Sequence, residues 1–265
     1  MRVWISGSLV EIFLGAVIAS GCTAAGADSS TAAAAAAKVD PKADQLLRKM
    51  SASLASINSF QFDAEHALEV VTKGNQKLQF IAQSKVSVQR PNKFRSDRLG
   101  AIADLSFYYD GKQMTIFGKK TNMYASAPAP NTLDAAIDFS RDKLGIDAPA
   151  ADLLYSNAYA GLMETVESGT YLADEPIGDR MCHHLAYHGQ NTDWQIWIED
   201  SPQALPCRYV ITTTDTPDQP ELAVAFSNWN ITPTIAATTF QFTPPPDATR
   251  IDFLSLGQQA KAKKP

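Results

Sequence analysis

From Ser59 to Thr72 the apolar side chains Phe60, Phe62, Ala64, Leu68 and Val70 all fall on even positions, and Lys73-Gly74-Asn75 then supplies a turn. A twofold period over that length belongs to a strand with one buried and one wet face; a helical stripe would repeat about every 3.6 residues. Lys77 to Gln89 returns with Leu78, Phe80, Val86 and Val88 in the same alternation, which predicts a long hairpin. The pattern continues through Leu105 to Tyr109, the hairpin signal Asp110-Gly111, Gln113 to Phe117 and Met123-Tyr124, so this half of the chain reads as an antiparallel meander. The segment Pro91 to Asp97 between them is short and charged.

Two stretches keep helical time instead. Pro41 to Ile57 places Leu46, Leu47, Met50, Leu54 and Ile57 on one stripe behind a proline suited to a first turn. Thr132 to Leu144 and Ala150 to Val166 carry Leu133, Ala136 and Ile137, then Leu153, Leu154, Ala158, Leu162 and Met163, at helical intervals. Strands resume at Cys182 to His188, Asp193 to Glu199, Cys207 to Thr214, Leu222 to Ile231 and Thr239 to Thr243, divided by Gly, Pro, Asn and Asp clusters. The result is an α+β, mainly antiparallel chain: a strongly curved sheet of about nine to eleven strands with helices covering its concave face. No linker interrupts residues 41–255, which read as a single domain.

The ends carry an address. Leu9 to Ser20 is an apolar run behind Met1-Arg2, long enough for a signal peptide and short for a membrane span. It ends in Ala19-Ser20-Gly21-Cys22, which resembles the bacterial lipobox. Residues 1–21 are then a signal peptide, Cys22 is the lipidated N-terminus, and residues 22–40, with the alanine run Ala32 to Ala37, are a flexible tether. Cleavage after Ala27, behind Ala25-Gly26-Ala27, is the alternative route to a soluble exported protein. Residues 256–265 are polar and read as a disordered tail.

With 23 Lys and Arg against 28 Asp and Glu, the net charge of −5 argues against a broad grip on nucleic acid, while 45% hydrophobic residues suffice for a sizeable core. Committing Cys22 to lipid leaves Cys182 and Cys207 as one candidate disulfide pair in an oxidising compartment. Geometry pulls the other way. If the two begin the first and third strands of a meander, two spacings of about 4.8 Å separate them, beyond the roughly 7 Å that a bridge spans. A bridge would then need loop positions or another strand order, so both readings stand.

The sequence supplies no reaction. It has no phosphate-binding glycine loop, zincin helix or serine elbow. His184 and His188 share a strand face, but residues four apart on a strand are about 13 Å apart, too far to hold one ion. Asp63 with Glu65 and Glu199 with Asp200 are neighbouring acids without a nucleophile, and exposed sheet carboxylates explain them equally well. Trp194 and Trp197 point to opposite faces. Aromatics on the strands read either as packed core or as the lining of an apolar cavity; Phe60, Phe62, Phe80 and Trp194 on the sheet, with Leu154, Leu162 and Met163 on the covering helices, are the cavity candidates.

The stretches Cys182-His183-His184-Leu185-Ala186-Tyr187, Asp193-Trp194-Gln195-Ile196-Trp197-Ile198, Leu205-Pro206-Cys207-Arg208-Tyr209-Val210, Trp229-Asn230 and Phe240-Gln241-Phe242-Thr243-Pro244-Pro245 resemble an exported bacterial family, domain of unknown function 2092. The resemblance covers roughly residues 45 to 254 and places the chain in the lipoprotein-carrier-like (LolA-like) superfamily. It implies an incomplete β-barrel with helices plugging the open side. By analogy of fold it implies a periplasmic, lipid-anchored binding protein for a lipid, acyl chain or lipidated segment, with no cofactor, no metal and no catalysis. The alternative is an envelope sensor or scaffold of the same fold that has a filled core and binds a protein partner. Thr23 after the lipid site, in place of the Asp linked with inner-membrane retention, suggests outer-membrane delivery.

Overall fold

The computed structural model describes residues 38–253, apart from positions 147 and 149. The signal peptide expected at 1–21, the lipid site expected at Cys22, the alternative cleavage after Ala27 and the tail expected at 256–265 lie outside the described residues. The last three residues expected in the tether have defined structure. Lys38–Val39 forms β1, and the Asp40 carboxylate accepts from Lys42 N at 2.7 Å to cap α1, Pro41–Ser56.

Six strands follow: β2 (Ser59–Val71), β3 (Lys77–Gln89), β4 (Lys93–Gly100), β5 (Leu105–Tyr109), β6 (Gln113–Gly118) and β7 (Met123–Pro128). A helical insertion comes next, with α2 (Leu133–Asp142), a single 3-10 turn at Ala151–Leu154 and α3 (Ala158–Met163). The chain then resumes as β8 (Val166–Ile177), β9 (Arg180–Gly189), β10 (Thr192–Glu199), β11 (Pro206–Thr213), β12 (Glu221–Asn230) and the two-residue β13, Thr249–Arg250. All are one strongly curved, open sheet in the order β1-β8-β9-β10-β11-β12-β2-β3-β4-β5-β6-β7-β13, antiparallel except at its two edges. The fold is the expected α+β, mainly antiparallel incomplete barrel. The two-residue strands at the edges bring the described total to thirteen.

The order explains where the helices lie. β7 and β8 are consecutive in sequence but stand near opposite edges of the sheet, so the insertion between them must run from one side of the opening to the other. The single helix expected at Ala150 to Val166 is broken: Ala150 takes a left-handed conformation, and Asn157 restarts the chain by accepting from Ala160 N at 3.1 Å. Thr239 to Thr243, expected as a strand, is a 3-10 turn over Ala237–Phe240 and an extended strap. Phe242 of this strap packs on Tyr108, Phe117 and Tyr124, so its apolar alternation is real but serves to cover the outer face of β5–β7.

The inner face divides in two. Over β9–β11, α1 presses Leu47, Met50 and Leu54 against Leu185, Tyr187, Trp194, Ile196 and Tyr209, all buried. Trp194 stacks on Tyr187 at 4.0 Å, and the Tyr187 hydroxyl donates to Ala43 O at 3.1 Å. This half is solid.

On the outer face of the same half, Cys182 and Cys207 form a disulfide, both fully buried beside Trp197, Val210 and Ala223. The strand order is the sequential one, with β10 between them, yet the Cα atoms are 6.8 Å apart. A β-bulge makes the difference. Trp197 pairs with Arg208 and Ile198 with Pro206, so Cys207 is the extra residue, and such an insertion bends its strand and re-aims the side chain.

Candidate ligand cavity

Over β2–β6 the inner face is covered by α2, by the 3-10 turn and the segment leading to it, and at one end by Leu54 of α1. Registers set the floor in rows. Phe62, Val86, Ser96, Phe107 and Ile116 form one; Ala64, Ser84, Arg98 and Leu105 form the next toward the β2–β3 turn. The roof begins where Thr132 caps α2 by accepting from Ala135 N, Leu133 N donates to Pro91 O at 2.7 Å, and the buried Tyr109 hydroxyl donates to Pro130 O and Thr132 O. Burial pushes the Tyr109 phenol up to about 12, so it remains a donor.

Leu133, Ala136, Ile137 and Ser140 recur at helical spacing and turn one face of α2 to the floor; Ile146, Ala148, Ala150, Ala151, Leu153 and Leu154 complete the roof. Many of these are alanines. Small residues opposite an aromatic floor leave space that packing does not close, and a cavity of about 180 Å³ remains. Its walls are largely apolar, with Phe226 and Trp229 of β12 closing one side.

Of the residues expected at a cavity, Phe62 and Leu154 line it. Phe60 lies one row deeper and is fully buried against Phe62 and Trp229, filling core where space was expected. Phe80 sits beyond the opposite end, half-buried and paired with Leu68. Trp194 is sealed under α1. Leu162 and Met163 belong to α3, which the break at Asn157 redirects onto α1: Tyr159 N donates to Ser51 Oγ, and Leu162 is 2% exposed within the core.

One corner of the cavity is polar, and no motif or spacing in the sequence marks it as a site. His66, Ser84 and Arg98 all point inward, with His66 Nε2 3.1 Å from Ser84 Oγ. Burial, with the Arg98 charge beside it, pushes the His66 imidazole down to about 4. In the unfolded chain it titrates near 6.5. Between these values the unfolded state takes a proton that the folded state refuses, so this contribution is present above about pH 6.5 and lost as pH falls through about 4. Asp152, whose carboxyl accepts from the Tyr209 hydroxyl at 3.0 Å, acts oppositely: burial raises it to about 6, so its contribution is lost as pH rises through that value. The histidine is therefore best read by difference. His66→Gln should gain about 3 kcal/mol on wild type between pH 7 and pH 4 in urea unfolding; a difference independent of pH would contradict the burial argument.

The remaining histidines belong to separate outer or edge sites. His183 contacts Asp174 and Asp200, His184 contacts Glu175 and Gln195 and stacks on Trp197, and His188 contacts Asp193 at 2.6 Å. Among the described residues no three such groups converge as metal ligands. Asp63 accepts from Asn228 at 2.8 Å and Glu65 is exposed.

A protein-family profile described as "Predicted periplasmic protein (DUF2092)" matches residues 43–254. No curated protein matches the sequence. Among solved structures, an uncharacterized conserved protein from Thermus thermophilus is similar over 80% of this chain and 99% of its own, at 11% identity and TM-score 0.48. LprF from Mycobacterium bovis is similar over 79% and 98%, at 15% identity and TM-score 0.45. A LolA superfamily protein from Nitrosomonas europaea is similar over 76% and 97%, at 11% identity and TM-score 0.38.

Proposed function

The chain belongs to the DUF2092 family of predicted periplasmic proteins, and from that premise we propose that it is a binding protein that takes an acyl chain, from a lipid or a lipidated segment, into the cavity beneath α2 without covalent chemistry. The observation that carries this reading is the largely apolar void itself, centred over β2–β6 with only Leu54 of α1 reaching its wall. Its driving force is removal of hydrocarbon from water, about 25 cal/mol per Å² before ordering costs. At about 180 Å³ the space is below the roughly 300 Å³ of ordinary small-molecule sites and above the roughly 150 Å³ that admits benzene. It suits a length of one chain, and a diacyl ligand would have to raise α2.

Native mass spectrometry after gentle purification, with uptake of the neutral fluorophore N-phenyl-1-naphthylamine, tests the reading. Retained lipid or saturable uptake supports it; neither one observed would favour the second reading, an envelope sensor or scaffold that binds a protein partner, toward which the solid packing under α1 points.

In the same reading residues 1–21 direct export, residues 41–255 act as a single domain, and lipid on Cys22 tethers it to the periplasmic face of the outer membrane. Cys22→Ala should accumulate as unprocessed precursor and shift any mature protein from the detergent to the aqueous phase on Triton X-114 partitioning. Unchanged size and partitioning would remove the anchor.

A further inference from the structure

Apart from the hydroxyls of Ser96, Tyr109 and Ser140, the polar groups of the cavity gather where Ser84 faces Arg98 across the β3–β4 ladder, with His66 on the adjoining strand. His66 is 8% exposed, and its Nδ1 is buried without a hydrogen-bond partner; so is the Nε of Arg98. When Ser84 donates to Nε2, Nδ1 carries the imidazole proton and is a second unused donor. Among the described residues no carboxylate lines the cavity, and Arg98, the one Lys or Arg in that lining, has no ion pair there. Partly buried guanidinium and imidazole donors left unpaired are costly, and an arriving oxyanion would relieve that cost.

We propose that Arg98, with His66 beside it, receives the oxyanion head of a single-chain amphiphile, a carboxylate or a phosphate, whose tail lies in the cavity. The inference rests on the acyl-cavity reading and adds the ligand's charge and direction. The head sits in the row of Ser84 and Arg98; the tail runs past Val86 and Phe107 toward Phe94, Tyr109 and Met114, two rows and about 13 Å away. The guanidinium fork matches either oxyanion, and the limited volume favours one chain over two.

Displacement of N-phenyl-1-naphthylamine by laurate, dodecyl phosphate and methyl laurate, at fixed salt, tests it on the whole chain. At least one of the two anions should bind about tenfold or more tightly than the ester, and the tighter one identifies the head. Arg98→Met should erase that preference by weakening the anion about tenfold or more beyond any change in the dye or the ester. Arg98→Lys should keep part of it. If Arg98→Met does not fold, Arg98→Gln removes the charge and carries the same expectation. An anion preference that survives loss of the charge, or equal binding of ester and anions to wild type, overturns the anchor while the acyl cavity stands. Failure of the dye and all three amphiphiles to bind overturns both.

Discussion

Ala136→Phe is expected to lower the affinity for N-phenyl-1-naphthylamine by about a hundredfold or more while the protein stays folded. Ala136 is 1% exposed, lies on the floor-facing side of α2 and lines the cavity. A phenyl ring added there has nearly the bulk of the benzene that occupies a cavity of about 150 Å³, so it would take most of the about 180 Å³ available. If the ring fits, burying it in an empty space leaves stability near wild type or above it; if it is crowded, overpacking costs about 1–3 kcal/mol, which thermal unfolding would register. Undiminished dye binding by a folded variant would place the binding site elsewhere.

Leu162→Asp should have the larger effect on stability, about 4 kcal/mol or more. Leu162 is 2% exposed between α3 and the core, and a carboxylate there has lost water without gaining a partner. Leu154→Asp makes the useful contrast: Leu154 lines the cavity, where a polar head or water can reach, so it should impair binding more than folding. Urea unfolding of the two variants separates them. Equal destabilisation would mean that α3 and the 3-10 turn form one packed unit rather than a core helix followed by a separate roof.

That contrast marks how far the sequence could be read. The even-position pattern of β2 and β3 gave strand, face and hairpin, because alternation reports directly which side meets the core. It did not separate cavity from core. Phe60 and Phe62 are equivalent in pattern, and only the length and placement of the covering helices decide that one is packed solid and the other borders space. β8 was missed because its burial is slight and its composition polar, as suits a strand near an open edge. The polar corner did leave a signal: His66 occupies an inward position among Phe62, Ala64 and Leu68, and pairing Ser84 with Arg98 repeats the exception on the next two strands. A run of polar residues in the apolar register of three adjacent strands, one of them charged, becomes visible only once their register is known.

The pairing of β12 with β2 also governs the order in which the chain can assemble. This seam joins the first long strand to the last, Phe226 opposite Ala64 and Leu222 opposite Leu68, so most of the described sequence lies between its partners. Local hairpins such as β2–β3 and β9–β10 close early, but the seam carries a large loop-closure entropy and makes the topology one of slow, late completion. Until β12 arrives, β2 is a bare edge and Phe62 lacks the ring of Phe226 that packs against it at 5.7 Å. If the chain is exported N-terminus first, as proposed, the meander emerges as an unfinished sheet, and the cavity half is closed only after Asn230 has crossed.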